Sequence, residues 1–157
     1  METHELERRL RALEDERAIL STLYRYGHSL DYGDEESWMD LWTPTARLYW
    51  PQTDFISGTE MFATVFRAHT HAPETYHKHF LIEPLISIDG DRATAQSMYT
   101  RLDNYEGIPK MRSFGRYLDV LVRCPDGRWR FDERVAQIEV LRPGSTDRLA
   151  SAVDPTE

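Results

Sequence analysis

The apolar residues change period along the chain, from helical spacing near the N-terminus to strand alternation beyond residue 75. Leu6, Leu10 and Leu13 share one helix face, and Ile19, Leu23, Tyr26 and Leu30 share a second. The two stripes do not join in phase, which predicts a helix over 1–31 that bends or breaks between Glu14 and Arg17. Gly33 is a stop signal, with Asp31 in the last turn or just beyond it. Residues 35–42 predict a short second helix presenting Trp38, Leu41 and Trp42 and ended by Pro44. A strand over Ala46 to Trp50 and a third helix over Thr59 to Ala68 follow. His69 to Pro73 reads as a loop whose two histidines are solvated. Strand runs then occupy 75–88, 92–104, 111–124 and 128–141, with Asp89-Gly90 and Asp126-Gly127 as hairpin signals between runs. Helices first and antiparallel strands after predict an α+β fold, a curved sheet whose pocket is closed by the N-terminal helices.

Composition narrows this picture. A chain of 157 residues with 40% hydrophobic content fits one domain, placed at 1–142, with a polar and loosely held tail at 143–157. No apolar run reaches the roughly 18 residues of a membrane helix, and the charged N-terminus has no apolar signal core, so a cytoplasmic protein is expected. Cys124 is the single cysteine and cannot form an internal disulfide. The net charge of −8, with 19 basic residues dispersed among 27 acidic ones, argues against nucleic acid and for a neutral or aromatic small molecule.

Three features could meet in an apolar pocket. They are Tyr26-x4-Asp31 at the end of helix 1, the pair His77 and His79, and the later-strand residues Tyr99, Arg101, Asp103, Tyr117 and Arg134. Strand alternation sends His77, His79 and Leu81 to one face and Tyr76, Lys78, Phe80 and Ile82 to the other. A carboxylate on one nitrogen of a partly desolvated histidine fixes its tautomer and favours the imidazolium formed when the other nitrogen takes a proton. Taken bare, a histidine on a strand is more often packed or on the surface, and an aspartate at a helix end is more often solvated. His28 could face the pocket or solvent. Arg134 is open to a buried ion pair or to anchoring a substrate, and Trp50 to the core or the pocket wall.

The run Ala18-Ile-Leu-Ser-Thr-Leu-Tyr-Arg-Tyr-Gly-His-Ser-Leu-Asp31-Tyr-Gly-Asp34 resembles the opening helix of the SnoaL-like branch of the nuclear transport factor 2-like superfamily. The run His79-Phe-Leu-Ile-Glu-Pro-Leu-Ile-Ser-Ile-Asp-Gly-Asp-Arg-Ala93 resembles its second signature. Gly115-Arg-Tyr-x-Asp119, Asp126-Gly-Arg-Trp129 and Arg134 are similar to its closing hairpin. The resemblance spans about residues 13 to 142 and implies a cone-shaped, strongly bent sheet. Members such as scytalone dehydratase, hexachlorocyclohexane dehydrochlorinase and bile-acid 7α-dehydratase eliminate water or halide without a cofactor. By motif position their Asp/His pair falls on Asp31 and His79, and Tyr26 matches the family tyrosine.

The resemblance therefore implies a cofactor-free lyase without a metal, acting on a hydrophobic polycyclic or aromatic molecule. Its catalytic residues would be His79, Asp31 and Tyr26, with Trp50, Tyr99, Tyr117, Arg134 and His28 contacting substrate. A cyclase or isomerase with the same dyad, or a non-catalytic binding subunit of the ring-hydroxylating dioxygenase β type, would share the fold. The sequence departs from the family in carrying Ile82-Glu83 where many relatives have Thr-Asn, and in lacking a histidine after residue 79. His77-x-His79-x3-Glu83 also matches part of a cupin metal motif, without the later histidine that motif needs. Phe114, Leu118, Val120 and Val122 line one side of a strand, and the resemblance implies a homo-oligomer, dimer or trimer, paired through that face.

Overall fold

The computed structural model describes residues 2–49 and 55–142; the tail at 143–157 and Trp50 lie outside them. One uninterrupted helix, α1 (Glu2–Tyr32), opens the chain. It does not break between Glu14 and Arg17, and among the described residues only the second stripe packs. Ile19, Leu23, Tyr26 and Leu30 are buried, whereas Leu6, Leu10 and Leu13 are 67, 54 and 65% exposed. An unpacked stripe puts no demand on phase, so nothing forces a kink. Asp15 marks where packing begins: it receives Arg123 at 2.5 and 2.6 Å and the Trp129 Nε1–H at 3.2 Å.

Gly33 ends α1 at φ 73°, and the Asp34 N–H returns 2.9 Å to the Ser29 carbonyl, the geometry of a Schellman stop. Asp34 then caps α2 (Glu35–Met39) by accepting from the Ser37 N–H at 3.0 Å. The second helix is shorter than the sequence pattern predicted. Trp42 already opens β1 (Trp42–Tyr49), and Pro44 lies inside that strand rather than ending the helix. Pro44 is tolerated there because the pairing register shifts between Trp42 and Arg47, where a missing N–H costs no regular ladder bond. After β2 (Ile56–Ser57), α3 covers Thr59–Ala68 as its pattern predicted.

Four long strands complete the domain: β3 (His77–Asp89), β4 (Arg92–Tyr105), β5 (Ile108–Arg123) and β6 (Trp129–Leu141). They form an antiparallel meander within a curled, unclosed sheet of order β2-β1-β6-β5-β4-β3. The β1–β6 pair is parallel, so the sheet as a whole is mixed.

Two local devices bend it. In β3 the register slips between Ile82 and Leu85, at Glu83-Pro84, with Glu83 at φ 47°. The inward positions accordingly change from odd (His77, His79, Leu81) to even (Ile86, Ile88), as a bulge requires. At Gly115 a Cβ would stand 1.9 Å from the Gln137 carbonyl oxygen, so only glycine permits β5 and β6 to meet there. α1 packs on β3 and β6, and an aromatic cluster of Tyr26, Trp38, Trp42, Phe62, Phe66 and Phe131 fills the concavity.

Candidate active site

The site begins with the missing side chain of Gly27. A Cβ there would lie 2.9 Å from the His79 carbonyl oxygen, so α1 rests its backbone directly on β3. One turn later, on the same helix face, stands Asp31. Its Oδ1 lies 2.6 Å from His79 Nδ1, and its Oδ2 accepts the His79 backbone N–H at 2.9 Å. One carboxylate thus holds both the ring and the strand that carries it. The end of α1 is closed by the loop after α3: the Ala72 N–H donates to the Asp31 carbonyl at 3.0 Å, and His71 Nδ1 lies 2.6 Å from the Leu30 carbonyl. Burial pushes the Asp31 carboxyl up, but its contacts from His77 and His79 outweigh this and hold it well below the usual carboxylate range. Burial lowers His79 from the ordinary imidazole value despite the opposing pull of Asp31, so the ring is neutral near pH 7, with Nδ1–H on the carboxylate and Nε2 as a lone pair.

Two further histidines surround this pair. His77 shares the inward face of β3, and its Nε2 lies 3.3 Å from Asp31 Oδ1 without the alignment of a hydrogen bond. His69, at the C-terminal cap of α3, is buried with Nδ1 2.6 Å from the Thr70 carbonyl. Its ring centroid is 4.6 Å from that of His77 and 5.5 Å from that of His79. Burial first, then the neighbouring charges, drives His69 far below the ordinary imidazole range, so it too is neutral. Neither His69 nor His71 is a solvated loop residue as expected. His69 is buried, and His71 stacks on Phe66 at 4.5 Å between two helix carbonyls. The signal for His69 was present: Phe62, Val65, Phe66 and His69 follow one helical stripe. Among the described residues, the histidine, cysteine and acidic side chains close enough to share an ion are these three histidines. Glu83 of the cupin-like segment is exposed on the bulge instead.

The tyrosines form the wall. Tyr26 is buried, 5.9 Å from Tyr117, and desolvation raises its hydroxyl to about 12, so it remains a proton donor. Tyr99 stacks on Tyr117 at 4.5 Å. Arg134 is fully buried and forms a bidentate pair with Asp119 at 2.7 and 2.8 Å. Its guanidinium lies 4.1–4.3 Å from the Tyr26, Tyr117 and Phe131 ring centres. Of the two roles open to Arg134, it occupies the position of a buried ion pair behind the tyrosines. A cleft of 190 Å³ between α1 and β3 is lined by Leu23, Tyr26, His28, His79, Leu81 and Tyr117, among others, with exposed His28 at its rim. Tyr26, His79, Tyr117 and His28 are therefore brought together, Tyr99 stands behind Tyr117, and Trp50 lies outside the described residues.

The likeness of this frame to known proteins is broad. It superposes on a nuclear transport factor 2-like protein with a cystatin-like fold from Novosphingobium aromaticivorans at 27% identity and TM-score 0.78, covering 94% of each chain. It also matches a candidate scytalone dehydratase from the same organism at 17% identity and TM-score 0.73, over 86% of this chain and 91% of that one. The β subunit of a candidate aromatic-ring-hydroxylating dioxygenase, again from N. aromaticivorans, matches at 19% and 0.70, over 83% and 93%. Compared by sequence with curated proteins, the chain has no significant match. The model of the SnoaL-like domain matches residues 11–135, which take in most of helix 1, the Asp31–His79 pair and most of the meander, and the chain belongs to that family.

Proposed function

We propose that the chain is a cofactor-independent lyase that eliminates water or a similar leaving group from a hydrophobic aromatic or polycyclic molecule. The observation that carries this reading is the 2.6 Å contact between Asp31 and the Nδ1 of a partly buried His79, beside a cleft walled by Tyr26 and Tyr117. His79 Nε2 takes a proton from the carbon next to an activating carbonyl. The C–H electron pair becomes the new C=C bond, and the hydroxyl leaves as water with the proton His79 has just received. Asp31 stabilises the transient imidazolium, and the Tyr26 hydroxyl donates a hydrogen bond to the carbonyl oxygen as charge builds there. His28 and Tyr117 contact the substrate, and Arg134 and Tyr99 hold Tyr117 in place. At 190 Å³ the cleft is below the roughly 300–1,000 Å³ of a drug-sized pocket, so one ring enters and the remainder extends past His28. Cyclisation or isomerisation begins with the same proton abstraction and follows where no leaving group is present.

The protein would work in the cytoplasm as a homodimer or homotrimer, joined through the outer sheet face where Phe114, Leu118, Val120 and Val122 remain partly or fully exposed. Screening aromatic β-hydroxy ketones for loss of water by ultraviolet absorbance tests the activity. His79→Ala should abolish turnover with the fold intact, and Asp31→Asn should lower kcat by about 10²–10⁴-fold. A panel turned over equally by both variants and the parent would remove the dyad. The similarity to a dioxygenase β subunit favours a second reading, a non-catalytic subunit. Tight, saturable ligand binding that His79→Ala leaves unchanged, without turnover, would favour it.

A further inference from the structure

We infer that His69, His77 and His79 form a binding site for a divalent transition-metal ion of the zinc class. A ring nitrogen of each lies within 4.8 Å of one on each of the others, and they come from two elements, the cap of α3 and the inward face of β3. Bonds of about 2.0–2.1 Å to one ion would draw these nitrogens closer by rotation of the rings about their side-chain bonds.

The second observation is the state of the nitrogens. Both nitrogens of His77 and the Nε2 of His69 are buried without a hydrogen-bond partner among the described residues. His69 places Nδ1 on the Thr70 carbonyl, and His79 places Nδ1 on the Asp31 carboxylate. A metal-binding histidine is ordinarily held in this way, with its far nitrogen on a carbonyl or carboxylate so that the near one presents a lone pair. Asp31 supplies negative charge behind His79 and 3.3 Å from His77. Arg101, opposite His79 on β4, contributes opposing charge, and its Nε is paired with Asp103 at 2.9 Å. Three imidazoles with one carboxylate behind them suit zinc, cobalt(II) or nickel(II) rather than calcium or magnesium, which prefer oxygen ligands.

Where the elimination proposed above holds, the ion and the substrate proton compete for one lone pair on His79. The loaded protein is then the inactive form, and zinc regulates the site. That consequence rests on the lyase reading; the ion site does not.

Titration of untagged protein with cobalt(II), followed by visible absorption, tests it. One ion per chain is expected, with the ligand-field bands of a nitrogen-coordinated site. His69→Gln and His77→Gln, with unchanged far-ultraviolet circular dichroism, should each weaken binding at least 100-fold. Asp31→Asn should weaken it by about 10–100-fold. X-ray absorption on the wild-type complex counts the imidazoles without any variant, and three are expected. No stoichiometric binding, fewer than three imidazoles, or binding that both glutamine variants retain overturns the site. Protein that binds cobalt with three imidazoles but turns over no substrate after the ion is removed by chelation retains the site and loses the lyase reading.

Discussion

Gly27→Ala sets two effects of known size against each other. Alanine is the better helix former by about 1 kcal/mol, and that gain is all that would appear on a free surface. At this position the new methyl meets the His79 carbonyl oxygen at 2.9 Å and the His79 Cβ at 3.5 Å, while ordinary contact begins at 3.4 Å. The obstruction is strand backbone, so it cannot rotate away. α1 must lift from β3 by about half an ångström, at an overpacking cost of about 1–3 kcal/mol. The net expectation is a loss of up to about 2 kcal/mol in urea unfolding.

The more telling effect is on the dyad, because the same displacement acts on the 2.6 Å Asp31–His79 bond one turn along the helix. Misplacement by about 1 Å costs on the order of 10²-fold in rate, so half of it should cost about tenfold. The His79 Nδ1 proton should move upfield in the NMR spectrum as its hydrogen bond lengthens. A Gly27→Ala protein that is about 1 kcal/mol more stable, with that resonance unmoved, would refute the claim that contact at Gly27 sets the dyad.

Other expectations follow from the same geometry. In chelated protein kcat/KM should fall on the acid side with a midpoint below 6.5, since burial lowers His79 from that value, and Tyr26 adds no alkaline limb until about 12; a midpoint above 6.5 would show that the pull of Asp31, not burial, dominates at His79. Hydrogen bonding from Arg123 lowers Asp15 below its ordinary 3.8, so the stability it contributes is full above 3.8 and is lost as pH falls through the lower folded value. Asp15→Asn should flatten that part of a urea-unfolding series against pH, and an unchanged slope would show that the pair does not form. Asp119→Asn leaves Arg134 buried and half-paired and should cost about 3–5 kcal/mol, most of it recovered in the double variant Asp119→Leu/Arg134→Met. A small single-variant effect would show that Arg134 reaches water.

Much of the architecture was legible because burial imposes a period. The stripe from Ile19 to Leu30, helix α3 and the four strand runs are all places where one face meets the core. What misled were residues on which burial makes no demand. Leu6, Leu10 and Leu13 have helical spacing but are not buried by any of the described residues, so their phase carried no information about a break. Pro44 suggests a stop, yet a register shift in β1 removes the ladder bond it would break. Glu106-Gly107 makes the third hairpin with both residues at positive φ, and glutamate is not a residue that announces such a turn. For the site, alternation along β3 placed His77 beside His79 without help. The contact with Asp31 came from the family resemblance alone, since no local rule brings residues so distant in sequence together. His69 reads as a loop residue from the sequence, although its spacing continues the buried stripe of α3.

Two of the buried polar groups in this core differ in how their unpaired atoms are arranged. Arg134 and Asp119 pair through two parallel hydrogen bonds and aromatic faces surround the guanidinium, whose Nη1 has no hydrogen-bond partner among the described residues. Around Asp31 the carboxylate is satisfied but the histidines are not: His69 Nε2 and both nitrogens of His77 end without a hydrogen-bond partner among the described residues. Each such buried group costs about 1–3 kcal/mol, and three in contact are a large charge against a stability of about 5–15 kcal/mol. The indole N–H groups of Trp38 and Trp42 are unpartnered too, but they are single donors within an aromatic cluster and do not converge on one point. Convergence is the difference. Unpaired buried nitrogens gathered in one place are costly in an empty fold and favourable once a proton donor or a metal ion stands between them, as expected of the ion site inferred above.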